Sequence, residues 1–357
     1  YKNGMTMKET IYLIKAILET GSTFDLKNVA DKHSIGGIAG NRTTPIVISI
    51  CAVAGIVMPK NSSRAITSAA GTADVIETIA RVEFSINELK QIIKKTGACM
   101  VWGGTLKLVP ADEQIIQVEK MLNMDPEAQL LASIMSKKLA VGSDYILIDI
   151  PYGKNAKVDK KRALHLKRKF EYLGKYFRKK LKVVLTDGSQ PIGNGIGPAL
   201  ELMDVIKILK RENGPLDLEE KSLFLAGELL EMTGKAKKGD GKQLAREILD
   251  SGKAFKKFEQ IIKAQQGNLK KIKYGKYKYD IKTRKSGTIY EIHNKKINSM
   301  ARVAGCPADK YAGLYIHIYL GDKLKKGDKI VTIYAESKSR LKKAIKYYER
   351  EKPIRMR

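Results

Sequence analysis

Two short segments gather the residue types that hold an oxyanion. Residues 31–37 read DKHSIGG and residues 62–74 read SSRAITSAAGTAD. In both, small residues let backbone N–H groups approach a ligand closely. The hydroxyls of Ser34, Ser62, Ser63, Thr67, Ser68 and Thr72 add donors, and Lys32 and Arg64 bring positive charge. A lone serine in a turn is ordinary capping chemistry, but this many hydroxyls with two cations point to an oxyanion. Neither segment has the G-x-x-x-x-G-K-[ST] or the G-x-G-x-x-G spacing, so a generic P-loop or dinucleotide site is not indicated. His33 lies inside the first segment, within reach of a phosphate or sugar. His165, His293 and His317 have no partner spacing for metal or nucleophile work and read as structural.

The surrounding pattern implies the elements that position these loops. Thr6 and Glu9 form a capping box ahead of Ile11, Ile14 and Leu18, with Gly21 as the stop, which predicts a first helix. The first loop starts at residue 31. The apolar run 44–54 then predicts a buried helix whose N-terminus favours an anion at that loop. A short strand at 55–59 leads to the second loop, and a helix begins at Thr72. Such alternation predicts an α/β sheet with its loops grouped at one edge. Residues 110–139 are continuously helical, strands are expected at 145–151 and 182–185, and 216–267 is helical again. Beyond 268 the pattern turns to short β segments at 287–293, 314–320 and 329–334, with Gly-Asp turns at Gly321 and Gly327, and ends in a Lys-rich helix over 337–351. The phrase GDKLKKGDKIVTIY at 321–334 resembles a barrel-sandwich turn of the biotinyl and lipoyl type. It lacks the Met-Lys-Met of a carrier, so that domain reads as structural.

The fold class is therefore α/β, with three parts. Residues 1–25 and 110–141 form a helical lobe. Residues 26–109 and 142–268 form a large α/β lobe with a central mixed sheet that binds phosphate. Residues 269–357 form a β-rich, barrel-sandwich-like α+β domain. A chain of 357 residues is long enough for two or three such units. No apolar run reaches membrane-spanning length, since 46–57 is only about a dozen residues. No secretory leader is expected, and Cys51, Cys99 and Cys306 are odd in number and widely spaced, which points to a reducing cytoplasm without disulfides. The 67 Lys and Arg against 38 Asp and Glu give a net charge of +29. That balance attracts anionic substrates, but the basic residues are spread out and not interleaved with aromatics, so a wet, lysine-rich surface is expected rather than specific nucleic-acid binding. The densest run, 157–182, carries Ala163, Leu166, Phe170 and Leu173 at helical intervals and reads as an amphipathic helix.

The two loops, with SIMSKK at 133–138 and LTDGSQPIGNGIGPALE at 185–201, resemble the thymidine and pyrimidine-nucleoside phosphorylase family. Within it, GNRTT at 40–44 and SSRAITS at 62–68 are most similar to the archaeal AMP phosphorylase branch. The resemblance implies a pentosyltransferase that splits nucleoside 5'-monophosphates (AMP, also CMP and UMP) with inorganic phosphate into free base and ribose 1,5-bisphosphate, in nucleotide salvage. The alternative is a pyrimidine nucleoside phosphorylase. It also implies that an N-terminal domain of the family, about a quarter of its usual length, is absent here. Phosphate is implied to bind at Lys32, Ser34, Gly36, Ser62 and Thr72. The nucleotide is implied to bind at Gly37, Ser63, Arg64, Ala65, Ile66, Thr67, Ser68, Thr72, Ser133, Lys137 and Lys157. Ser133 and Lys137 are four residues apart and so share a helix face. Asp125, followed by Pro126, has two readings: a cap for the helix bearing Ser133, or, as the resemblance implies, the acid that protonates the departing base. The acid role requires its ordinary pKa of about 3.9 to be raised by burial or a nearby anion. Arg42, just past the first loop, is expected to grip the 5'-phosphate bidentately. No metal or cofactor is expected, phosphate being a co-substrate. A homodimer or higher homo-oligomer is expected, with no membrane partner.

Overall fold

A computed structural model of the chain describes residues 3–24, 26–65, 68–105, 108–122 and 124–357. The first helix, α1 (Met7–Glu19), is started by the expected box: Thr6 N–H donates to Glu9 Oε2 at 2.7 Å and Glu9 N–H returns to Thr6 Oγ1 at 3.2 Å. Strand β1 (Val29–Ser34) leads to α2 (Thr43–Val53), β2 (Met58–Ser62) and α3 (Thr72–Ile76). Helix α4 (Ile86–Thr96) and strand β3 (Ala98–Trp102) follow. Then come α5 (Pro110–Leu122), α6 (Glu127–Ala140), β4 (Ser143–Tyr152), α7 (Lys160–Tyr176) and β5 (Lys180–Asp187).

Strands β1, β4 and β5 pair in parallel with β4 at the centre, and β2 pairs in parallel with β3. An isolated parallel bridge between Val29 and Val57 joins the two sets. Every described pairing in this central sheet is parallel, where a mixed sheet was expected. A parallel sheet must be covered on both faces, and β4 accordingly runs as the nearly uninterrupted apolar YILIDI. Its Leu147 joins one core cluster, while Ile146, Ile148 and Ile150 join another on the opposite face. Helices α1, α4, α6 and α7 cover the second face, and their apolar residues merge with the sheet into one continuous cluster.

Strand β6 (Gly195–Ile196) is followed by four helices: α8 (Pro198–Lys210), α9 (Leu216–Met232), α10 (Gly241–Asp250) and α11 (Lys253–Ala264). They pack with α2 on the first face. Helix α2 is buried all round because it is enclosed by α9, α10, α11 and the sheet. The remaining elements are β7 (Tyr277–Lys282), β8 (Gly287–Ile292), α12 (Asn294–Ala304), β9 (Gly313–Ile316), β10 (Lys323–Leu324), β11 (Lys329–Ala335), α13 (Lys338–Glu351) and β12 (Ile354–Met356). They form two antiparallel sheets, β6-β9-β11-β7 and β10-β8-β12, with α12 and α13 packed together. Residues 195–196 thus leave the α/β part of the chain to add an edge strand to the C-terminal sheet.

Two expectations about local structure change. Residues 31–34 are not loop but the end of β1, because this strand lies between β2 and β4 and its polar side chains find buried partners. The strand expected at 55–59 lies at Met58–Ser62, so Ser62 closes a strand. Beyond β1, the turn is tight at Gly40, whose φ is +70° and where an added Cβ would lie 2.3 Å from the Ile192 carbonyl oxygen. The three cysteines are free and buried. Among the described residues no helix is long and apolar enough to cross a membrane.

Asp204 of α8 accepts the N–H groups of Asn194 and Gly195, at 2.8 and 2.6 Å, and so ties α8 to β6. Burial pushes its carboxyl from the ordinary 3.8 up to about 7, against those two hydrogen bonds, which pull it down. The folded protein then binds a proton that the unfolded chain has already released between these values. Stability rises as pH falls through this window and is lost as pH rises through the folded pKa. Urea unfolding between pH 5 and pH 8 is expected to show Asp204→Asn gaining stability relative to wild type as the pH rises, by on the order of 1 kcal/mol per pH unit up to the folded pKa and no further above it.

Candidate active site

The carboxyl end of β1 delivers Lys32 and Ser34 to one place. Lys32 is 1% exposed, and its ammonium donates to Thr43 Oγ1 and lies 3.5 Å from Thr44 Oγ1, both in the first turn of α2. Burial drives the Lys32 pKa far down. Asp149 opposes this, and Lys221, Lys60 and Arg42 reinforce it. Ser34 donates to Asp149 Oδ2 at 2.6 Å, Thr186 donates to Asp149 Oδ1 at 2.6 Å, and Lys221 lies 3.0 Å from Asp149. Burial alone would raise the Asp149 carboxyl, but Lys221 and Lys32 outweigh it and hold it below the usual range. The result is a polar, hydroxyl-lined cradle at the carboxyl edge of a parallel sheet and the N-terminus of α2, the kind of place where anions bind.

A second buried ion cluster lies behind it. Asp31 accepts from Lys60 at 2.9 Å and from Lys138 at 2.6 Å. The two lysines overcome burial and hold Asp31 below its usual pKa, while burial lowers Lys138 to about 7. Because Lys138 sits on α6, this contact draws α6 against β1. On the same helix Lys137 donates to Ser133 Oγ at 2.8 Å and pairs with Asp112 of α5, which also accepts from Ser133 at 3.0 Å and Gln129 at 3.1 Å.

Gly36 stands open, with nothing within 4 Å of the position of a Cβ. Gly37 has φ +106°, and a Cβ there would lie 2.9 Å from Lys157 Cβ, so only glycine lets these segments touch. Lys157 Nζ reaches 2.5 Å from Asp125 Oδ2. Gly37, Lys157 and Asp125 are therefore neighbours. Pro126, not Asp125, occupies the N-cap of α6, and no side chain caps it. The capping role open to Asp125 is thereby corrected: its carboxylate, with a side chain 48% exposed, is turned to Lys157 instead. Glu119 is close by, raised by burial first and then by Asp125 and Asp112.

In the second loop, Asp74 Oδ2 accepts the N–H groups of Ala65 and Gly71, each at 2.7 Å, and folds the segment back on itself. Ser62 donates to the Val101 carbonyl at 3.3 Å and Ser68 to that of Ala70 at 3.0 Å. Ser63 lies against Gly71, where a Cβ would meet the Ser63 carbonyl at 2.6 Å. Ile66 and Thr67 lie outside the described residues. Two expected cations are spent within the protein. Arg64 makes a bidentate pair with Glu77 at 2.6 and 2.7 Å, reaches Glu83 at 3.0 Å and stacks 4.6 Å over Trp102. Arg42 was expected to grip a 5'-phosphate. Instead its Nε donates to Glu201 at 2.8 Å, Nη1 to Thr72 Oγ1 at 2.8 Å and Nη2 to the Ala70 carbonyl at 2.8 Å. Its fork positions Thr72 and pairs with the buried Glu201.

Thr43, Thr44, Asp149, Thr186, Lys221, Asp112 and Glu201 were not anticipated. Asp149 had a signal in the sequence, an acid inside an apolar strand. Thr43 and Thr44 had one too, opening the helix placed after the first loop. Lys221 and Glu201 look like ordinary helix residues until the chain is folded. Among the described residues no group of three His, Cys, Asp or Glu could hold a metal.

A family model described as "Glycosyl transferase family, a/b domain" matches residues 26–255, and one described as "Pyrimidine nucleoside phosphorylase C-terminal domain" matches 288–355. The AMP phosphorylase of Pyrococcus furiosus is 49% identical over 361 aligned residues, which cover 99% of this chain and 72% of that protein. The chain belongs to the AMP phosphorylase family. Another member, the AMP phosphorylase of Methanococcus aeolicus, is 46% identical over 100% of this chain and 72% of its own length. A putative thymidine phosphorylase of Ralstonia nicotianae is 45% identical over 96% of this chain and 68% of its own. The anthranilate phosphoribosyltransferase of Thermus thermophilus superposes with a TM-score of 0.60 at 18% identity, over 74% of this chain and 86% of that one, which shows a shared fold.

Asp149 joins three elements of this site through Ser34, Thr186 and Lys221. Asp149→Ala is expected to strand Lys221 and Lys32 without their counter-charge and to destabilise the protein by about 3–5 kcal/mol in urea unfolding, the usual result of breaking a buried ion pair from one side.

Proposed function

We propose that this chain cleaves AMP by phosphorolysis, releasing adenine and forming ribose 1,5-bisphosphate, with CMP and UMP as further substrates. The observation that carries the reading is the adjacency of two sets of groups: the Lys32, Ser34 and Thr43 cradle on one strand end, and the Gly37, Lys157 and Asp125 contact reached from the same loop. The AMP phosphorylase names carried by its relatives agree with it.

In this reading phosphate sits over Lys32, Ser34, Gly36, Ser62 and Thr72. One of its oxygens forms the new bond to the ribose anomeric carbon while the bond to the base breaks and its electron pair leaves with the base. The charge lost from the sugar carbon faces the phosphate anion. The nucleotide lies along Gly37 and the segment 63–68, with Ser133 and Lys137 toward the base and Asp112 holding both in place. Asp125 gives its proton to the departing base. With its side chain half exposed in the free protein, Asp125 needs the bound nucleotide to cover it and place an anion beside it. Entry of the nucleotide also draws Lys157 away from the carboxylate. Thr72, held by Arg42, serves phosphate and nucleotide together. The reaction uses no cofactor, the protein works in the cytoplasm, and it assembles as a homodimer or larger homo-oligomer.

Chromatography of purified protein with AMP is expected to show adenine only when phosphate is present, and little release from adenosine or thymidine. Thymidine cleaved faster than AMP would instead favour the pyrimidine nucleoside reading, which the Ralstonia relative keeps in view. Asp125→Asn is expected to lower kcat by about 10²–10⁴, the range of general acid catalysis, with the KM for phosphate nearly unchanged.

A further inference from the structure

Both loops are held from outside their own domain, by one stripe of one helix. Asn294, the first residue of α12, accepts the N–H of Ala39 at 3.1 Å and donates to the Gly188 carbonyl at 3.1 Å. One turn on, Asn298 accepts the N–H of Ala69 at 3.0 Å, and a further turn on Arg302 donates to the Ser68 carbonyl at 3.3 Å. Positions i, i+4 and i+8 lie on one helix face. Asn294 and Asn298 are 0% and 4% exposed, and Ala39 and Ala69 are both fully buried. These two alanines, one just past Gly37 of the first loop and one inside the second loop between Ser68 and Thr72, belong to the same apolar cluster as Ile297, Met300 and Ala301 of α12. The contacts span 255 and 229 residues of chain, so local folding does not make them.

We propose that Asn294 and Asn298 are positioning residues: α12 acts as a ruler that sets the spacing of the two anion loops, so that docking of the C-terminal domain is a condition for gripping phosphate. One turn of helix separates the two amides by about 6 Å along its axis, and a helix inside a packed core does not stretch. Donors fixed before the anion arrives bind it without first being ordered. The asparagines themselves touch no ligand and add no charge, so their effect runs through the loop backbone. The proposal deepens the phosphorylase reading and rests on the same phosphate site.

The test uses the full chain with Asn294→Ala, Asn298→Ala and the double variant. It reads the phosphate Kd by calorimetry, kcat and the phosphate KM of adenine release, and the melting temperature. Each single variant is expected to raise both Kd and KM for phosphate about tenfold. The double is expected to fall well short of the hundredfold product, because losing either end already frees the spacing. A purely structural role predicts lower melting temperatures with Kd and KM within twofold of wild type, and that result overturns the proposal, as does a double variant that multiplies the singles. Asn298→Ser, which keeps an acceptor on a shorter side chain, gives the same reading at smaller amplitude if the alanine variant does not fold. A wild type that binds phosphate but releases no adenine sinks the AMP reading while calorimetry still decides this one. A wild type that binds no phosphate overturns both.

Discussion

A lysine side-chain nitrogen held almost entirely out of water, near the end of β1, is the constraint on which the rest of this structure depends. An isolated buried charge is costly, and burial accordingly drives the Lys32 pKa far down; its amine rests on the Thr43 and Thr44 hydroxyls, while the charge of nearby Asp149 opposes that shift. Asp149 in turn needs Ser34, Thr186 and Lys221, which come from three different elements. Lys32, Asp149 and their partners thus form one interlocked buried polar unit. The neighbouring cluster of Asp31, Lys60 and Lys138 repeats this logic one residue earlier on β1, where it serves to attach α6.

Much of the chain's positive charge has no part in this. Surface pairs between exposed side chains contribute little each, and the lysines of α7 and α13 lie largely on wet faces. The decisive charges are the few whose water has been removed. The same distinction separates Arg64 and Arg42 from Lys32. Both arginines lie beside the loops, but each is bound to carboxylates, so they stiffen the second loop and the start of α3 rather than offer free charge.

Several elements were legible in the sequence because their signals are local. The Thr6 and Glu9 box starts α1 where the pattern places it, the amphipathic spacing of Ala163, Leu166, Phe170 and Leu173 becomes the buried face of α7, and one Gly-Asp turn precedes each of β10 and β11. Residues 31–34 were misread because glycine, serine and charge in one heptapeptide look like a loop. A strand flanked on both sides can carry Asp31 and Lys32 when buried partners wait for them, and those partners lie 11 to 107 residues away. For Asp125, proline in the next position suggested a cap, yet the residue after the acid took that place and freed the side chain for Lys157.

By itself the sequence determined which residue types were available and where: two hydroxyl-rich segments, the helices around them, and a β-rich end. These follow from periodicity, capping and turn chemistry, which act over a few residues. Only the tertiary structure decided which charges are free and which are spent, since that depends on what is desolvated and what lies within about 3 Å. It also decided that α12, far along the chain, would hold both loops, because no local rule connects Asn294 to Ala39 or Asn298 to Ala69.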